Sequence, residues 1–206
     1  DKYYMTPEKA MDIQSQLGAD IIMAFDDVAA GWSSKTRARE ALTRTHMWAE
    51  RCVSQWQQNE IVRKEKWLHP QTLFPIIQGV TYEDLRLESV RFLKELPTLG
   101  IAIGGLSVGE GKESMLAMLD LLAPELPSEK PHYLMGVGTP EDLVEAIARG
   151  VDMFDCVLPT RLGRHGEVFT SNGYLRVDRS SLDGSMEKIP VHPWLETSVS
   201  ENYTLG

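Results

Sequence analysis

An apolar run of strand length followed by an amphipathic helix recurs along most of this chain, and that alternation restricts the fold more than any other feature. Thr6-Pro7-Glu8 predicts a first helix: Thr6 can cap, Pro7 suits the first helical position, Glu8 suits the positive end, and Gly18 ends it. Asp20 to Phe25 reads as a buried strand. A long helix is expected from Ser34 to Gln58, with Ala38, Ala41, Leu42, Thr45, Trp48, Ala49 and Cys52 on one face. Leu73 to Ile77 reads as the second strand, followed by a helix from Thr81 to Leu96. Gly100 to Ile103 is the third strand, followed by a glycine-rich turn and a helix through Met115 to Leu122. His132 to Met135 is the fourth strand, and Thr139-Pro140-Glu141 repeats the helix-start device for a helix ending at Gly150. Val151 to Phe154 is the fifth strand. Strands alternating with helices imply βαβ units and a parallel sheet. Right-handed crossovers leave a barrel or an open doubly wound sheet.

Past the fifth strand the pattern changes. Glu167-Val-Phe-Thr and Tyr174-Leu-Arg-Val flank Ser171-Asn172-Gly173, a hairpin signal, and beyond Asp178 the chain is polar and without period. The 206 residues are 42% hydrophobic, enough for one domain with a core. A net charge of -9 opposes a surface coated for nonspecific nucleic-acid binding but leaves room for a local basic patch. Two cysteines, Cys52 and Cys156, make no disulfide framework, which suits a reducing cytoplasm. No apolar run is long enough to span a bilayer, so no membrane association is expected. The opening at Asp1 without an initiator Met suggests a segment of a longer protein.

Each predicted strand ends on polar residues or glycine. These are Asp26-Asp27, Gln78-Gly79, the run from Gly104 to Glu110, Gly136-Val137-Gly138, and Asp155. Asp155 is followed by a proline loop carrying Arg161 and Arg164, which suggests an anionic ligand. In a parallel barrel such ends converge on one face. Asp26, Gln78 and the Gly105 backbone would then recognise a flat polar ligand such as a nucleobase, with Asp155 free to act as nucleophile or base. A single Asp at a strand end more often caps a helix or meets solvent, and Gly104-Gly105 and Gly136-Val137-Gly138 also read as plain turns or phosphate cradles. Cys156, between apolar neighbours, reads as core sooner than as nucleophile. His46 and His132 read as packed or exposed residues, His165 has no assigned role, and Trp32, Trp48, Trp56 and Trp67 read as packing or interface residues.

The runs Met23-Ala-Phe-Asp26, Ile77-Gln-Gly79 with Tyr82-Glu-Asp-Leu-Arg86, Ala102-Ile-Gly-Gly-Leu-Ser-Val-Gly-Glu110, Tyr133-Leu-Met-Gly-Val-Gly-Thr-Pro-Glu-Asp142 and Phe154-Asp-Cys-Val-Leu-Pro-Thr-Arg161 resemble the queuine/archaeosine-type tRNA-guanine transglycosylases, in order and spacing, from about Met5 to Val177. The resemblance implies a TIM-type (β/α)8 barrel. This chain would be a large C-terminal part of it, with residues 1–178 as partial barrel core and a β-hairpin after the Asp155 strand. It implies exchange of guanine at the anticodon wobble position of a tRNA with a G-U-N anticodon for a 7-deazaguanine. Asp155 matches the nucleophile that attacks the ribose anomeric carbon in a double displacement. Asp26 matches the carboxylate on the ring edge of the base, and Gln78 with the Gly105 backbone match the groups on its carbonyl. Leu106 would offer a backbone carbonyl, Met135 and Gly136 a pocket wall, and Arg161 and Arg164 the contacts to the tRNA. Asp26 and Asp155 are thus expected as a buried carboxylate pair. The family also implies homodimers or heterodimers.

The chain departs from the family pattern at several points. The family's Ser-Asp-Ser-Gly-Gly-Phe-Gln-like segment, assigned to acid/base work, would lie before residue 1. The family implies zinc at a Cys-x-Cys-x-x-Cys…His site that would fall in residues 179–206, where Leu195, Thr197 and Ser200 cannot replace thiolates and His192 stands alone; either zinc is lost or its site lies elsewhere, and no metal ligand or cofactor is assigned in this chain. Val28 is of the queuine-user type, whereas Val108 is of the type that takes the aminomethyl precursor. Val80 stands in place of a commoner Gly, a mild change. A non-catalytic tRNA-binding or partner subunit, and an unrelated phosphate-binding barrel enzyme, are the alternative readings.

Overall fold

A computed structural model describes residues 4–170 and 173–176. The element order is α1 (Pro7–Leu17), β1 (Ile21–Met23), α2 (Lys35–Glu65), β2 (Thr72–Phe74), β3 (Ile76–Ile77), α3 (Glu83–Leu93), β4 (Ile101–Ile103), α4 (Lys112–Leu122), a 3-10 turn (Ala123–Glu125), β5 (His132–Leu134), α5 (Pro140–Ile147), β6 (Met153–Phe154), α6 (Leu158–Arg164), β7 (Glu167–Thr170) and β8 (Gly173–Arg176). The described residues fall into two compact units. One runs to Val137 and includes Glu141–Asp155; the other holds Gly138–Pro140 and the residues from Cys156 on.

Local chemistry sets the element ends. The Thr6 hydroxyl accepts the Lys9 N–H at 3.3 Å, Pro7 opens α1, and Gly18 closes it in the left-handed region at φ 77°. Ser34 caps α2 in the same way through Arg37 N–H. The helix then runs past Gln58 to Glu65. Its extra turns are fixed by Arg63, a buried side chain that donates to the His69 and Ser15 carbonyls.

All strands of the first unit pair in parallel. β1 pairs with β2, and β3, β4, β5 and β6 follow in chain order in one sheet. The run Leu73 to Ile77, expected as one strand, is two: Pro75 has no N–H to donate and separates β2, which faces β1, from β3, which faces β4. The Pro75 carbonyl still accepts Ala102 N–H at 2.8 Å, so the chain passes from one ladder to the next. Strand register sorts the side chains into two faces. Ile77, Ile103 and Leu134 lie side by side and pack with Val90, Leu93, Met118 and Leu119 of the helices. Ile76, Ala102, Tyr133 and Met153, one residue earlier in each strand, form the opposite layer with Phe74. Strands that read as nearly continuous apolar runs are those covered on both faces.

In the second unit, residues 158 to 164 form the short helix α6 where a proline loop was expected; Pro159 sits in its first turn. β7 and β8 pair antiparallel with Glu167 opposite Arg176. The turn residues 171 and 172, the stretch 179–206 and its His192, Leu195, Thr197 and Ser200 lie outside the described residues. No helix among the described residues is long and apolar enough to cross a membrane.

Candidate active site

The C-terminal ends of β1, β3, β4, β5 and β6 deliver Asp26, Gln78, Gly104 with Gly105, Met135 with Gly136, and Asp155 to one cleft of about 320 Å³. Val28, Ser107 and Val108 complete its lining. Parallel pairing is the reason for this convergence, because it brings every strand's carboxyl end to the same side. Leu106 does not line the cleft: its side chain is buried in the core between sheet and helices. Only its backbone remains for a ligand. Arg161 and Arg164 belong to the second unit, in the last turn of α6, and are exposed.

Asp155 is held by one oxygen. Tyr133 hydroxyl donates to Oδ1 at 2.6 Å and Gly136 N–H donates to the same atom at 2.8 Å. Burial, and then the hydrogen bond to Asp155, push the Tyr133 phenol's pKa far up, so it stays a donor. Gly136 needs the left-handed φ of 76°, and its carbonyl accepts the Ser107 hydroxyl at 2.9 Å. The carboxylates are not a buried pair. Asp155 is exposed and Asp26 half-buried, because the strand ends open toward solvent at the cleft mouth.

Asp26 Oδ2 accepts Gln78 Nε2 at 2.7 Å, and the Gln78 main-chain N–H is held by Ser89 Oγ at 3.1 Å. Burial raises the Asp26 pKa, and the hydrogen bond from Gln78 opposes this only in part. Its neighbour Asp27 is occupied elsewhere. Arg37 grips both Asp27 oxygens, at 2.6 and 3.0 Å, and Arg44 adds a further ion pair. The hydrogen bonds from Arg37 lower the Asp27 pKa. The pair of aspartates is therefore divided into one held as an ion at the start of α2 and one facing the cleft.

Behind Gly104 and Gly105 lies the last residue of the run Tyr82-Glu-Asp-Leu-Arg86, whose burial and partners the residue pattern does not show. Arg86 is fully buried on the apolar face of α3 and donates to four carbonyls: Val80 at 2.7 Å, Ile77 at 3.1 Å, Gly104 at 2.7 Å and Gly105 at 3.0 Å. Val80, the mild departure of the sequence, takes φ 55°, a left-handed conformation that a β-branched residue rarely adopts and that glycine would take without strain. Gly105 sits at φ 66°, where a side chain is strained, and a Cβ there would displace Gln78 Oε1, 2.4 Å away.

A family model described as "Queuine tRNA-ribosyltransferase" matches residues 1–205. The chain belongs to that family. The queuine tRNA-ribosyltransferase of Halothermothrix orenii is 49% identical over 203 residues, which are 98% of this chain and 51% of the relative. That of Ruminiclostridium cellulolyticum is 47% identical over 203 residues, covering 98% of this chain and 52% of the relative. That of Neisseria meningitidis is 44% identical over 204 residues, covering 99% and 52%. The chain spans about half the length of the curated relatives it matches.

Residues weighed as ordinary in the sequence have ordinary surroundings in this family member. Both ring nitrogens of His132 meet carbonyls, of Gly150 at 2.7 Å and Pro127 at 3.0 Å. His46 stacks on Phe92 at 4.3 Å. Cys52 is buried beneath β1, where burial pushes its thiol up to about 11, and Cys156 is half-buried. Trp48 stacks on Phe25 and Trp56 donates to the Gln71 carbonyl, whereas Trp32 and Trp67 are exposed.

Proposed function

We propose that this chain carries the base-exchange site of a tRNA-guanine transglycosylase, a pentosyltransferase that replaces guanine at the wobble position of a G-U-N anticodon with a 7-deazaguanine. The observation that carries the reading is the convergence of Asp26, Gln78, Gly105, Met135, Gly136 and Asp155 on one cleft in a chain of this family. Tyr133 and Gly136 hold Oδ1 of Asp155 and leave Oδ2 as the nucleophile. In the first half-reaction Oδ2 forms a bond to the ribose anomeric carbon and the glycosidic bond to guanine breaks, its electron pair leaving with the base. In the second, the ring nitrogen of the incoming base displaces the carboxylate, and the proton it gives up balances the one taken up by the departed guanine. Asp26 reads the donor edge of the base, and Gln78 with the Gly105 backbone reads its carbonyl. Met135 and Gly136 wall the pocket, the Leu106 carbonyl faces the 7-substituent, and Arg161 and Arg164 contact the tRNA.

The strand order supports a barrel as the architecture of the complete enzyme. β1 and β2 in one sheet, and β3 to β6 in another, follow in chain order, all parallel, without the reversal that marks a doubly wound sheet. A cytoplasmic enzyme assembling as a homodimer or heterodimer fits the reading. Residues 190 to 200 supply no thiolate, so the donor chemistry there does not fit the family's zinc.

The test is incorporation of radiolabelled guanine into unmodified tRNA bearing a G-U-N anticodon, beside Asp155→Asn. The expected result is exchange by the parent protein, with exchange and covalent adduct both lost in the variant while guanine still binds. An adduct trapped with Asp155→Asn would remove Asp155 as nucleophile. Binding of tRNA without exchange by the parent would instead favour a non-catalytic partner subunit.

A further inference from the structure

Arg86 is an expensive residue to place where it is. Its guanidinium is fully buried, and no carboxylate is bonded to it among the described residues. Burial without a bonded counter-ion pulls its pKa down to about 9, which still leaves it protonated at neutral pH. Four main-chain carbonyls hold the guanidinium, and the Glu110 carboxylate acts on its charge without a bond to it. The carbonyls come from two neighbouring strand ends: Ile77 and Val80 on one, Gly104 and Gly105 on the other. An apolar residue in its place would serve the core of α3 at less cost.

The geometry of the peptide unit gives the arrangement a use. In a trans peptide the carbonyl and the following N–H point in opposite directions. Arg86 draws the Gly104 and Gly105 carbonyls toward α3, behind the cleft that both glycines line. The Gly105 and Leu106 N–H groups are thereby turned the other way. Gly105 adopts the left-handed conformation this requires, in which a side chain would be strained and would displace Gln78. The rigid, planar fork of arginine carries five donors in a fixed geometry and holds four carbonyls here, whereas a lysine ammonium offers three donors from one point.

We infer that Arg86 is the positioning residue of the base site: it fixes the Gly104–Leu106 backbone so that main-chain N–H groups, Gly105 first, stand as donors for the carbonyl oxygen of a purine-type base. The inference rests on the base-exchange reading of the cleft and adds to it a residue that never touches the ligand. A guanidinium grip also explains why this stretch tolerates two consecutive glycines without losing its shape.

Guanine affinity, tRNA affinity and the thermal midpoint are measured for the parent protein and for Arg86→Lys, and the amide resonances of Gly105 and Leu106 are followed in the parent as guanine is added. The expected result is a Kd for guanine raised about tenfold or more in Arg86→Lys, with tRNA affinity within about twofold of the parent, because one well-placed donor is lost only at the base. The Gly105 amide should shift strongly on saturation with guanine. A folded Arg86→Lys with unchanged guanine affinity overturns the inference. So does a Gly105 amide that does not move in the guanine-saturated parent, an observation that stands even where the variant fails to fold. A parent protein that binds no guanine at all overturns the base-exchange reading itself, and the two failures are distinct.

Discussion

Asp26 and Asp27 are adjacent in the chain and shifted in opposite directions, and the cause in each case is position. Asp27 lies against Arg37 and Arg44, so its lowered pKa contributes stability above its unfolded value, lost as pH falls through the folded pKa. Asp26 is raised by burial, so its contribution has the other sign: it is fully present below the unfolded pKa and lost as pH rises through the folded one. At neutral pH the Asp26 charge therefore costs stability in the absence of ligand. Asp26→Asn should raise the thermal midpoint at pH 7 by a few degrees, on the order of 1 kcal/mol, and this gain should shrink in acid. The same substitution should weaken guanine binding by about 2 to 4 kcal/mol, since the donor edge of the base loses a charged acceptor. Calorimetry at two pH values with a guanine titration checks both, and a variant that loses stability at pH 7 while keeping base affinity would reject the assignment. The identity of Asp26 as a site candidate was legible from its place after a strand; its separation from Asp27 was not, because that depends on where the arginines of α2 come to lie.

At the scale of elements, caps and prolines were readable and long-range anchors were not. Thr6, Pro7 and Gly18 bound α1 as their chemistry requires. The apolar stripe of α2 fades after Gln58, yet the helix continues to Glu65 on the strength of Arg63. Arg63→Ala should cost about 2 to 3 kcal/mol, through the unmet His69 and Ser15 carbonyls and the lost packing of its stem. Chemical denaturation would show it, and amide exchange should localise the loss to the last turns of α2 and the segment before β2. A variant as stable as the parent would mean that the extension is held by other contacts. The split at Pro75 was available in the sequence, since proline cannot donate to a ladder, but which neighbour each half would take was not.

For the molecule as a whole, the described sheets have open edges. Among the described residues β1 pairs only with β2, and β6 only with β5. Unpaired parallel edges invite pairing with another chain. The 206-residue polypeptide on its own should therefore associate as its concentration rises, which sedimentation at several concentrations would detect; a monomer throughout would mean that its edges are covered. The sequence by itself determined the βαβ alternation, the starts of α1, α2 and α5, and the set of strand-end residues, because each rests on local propensity or on a period of a few residues. The tertiary structure decided which strand ends meet in one cleft, that Asp155 stands in solvent while Asp26 is half-buried, and that a guanidinium from α3 organises the glycine turn. These are consequences of contacts between residues far apart in the chain, and burial, which governs both charge and direction at this site, exists only once those contacts form.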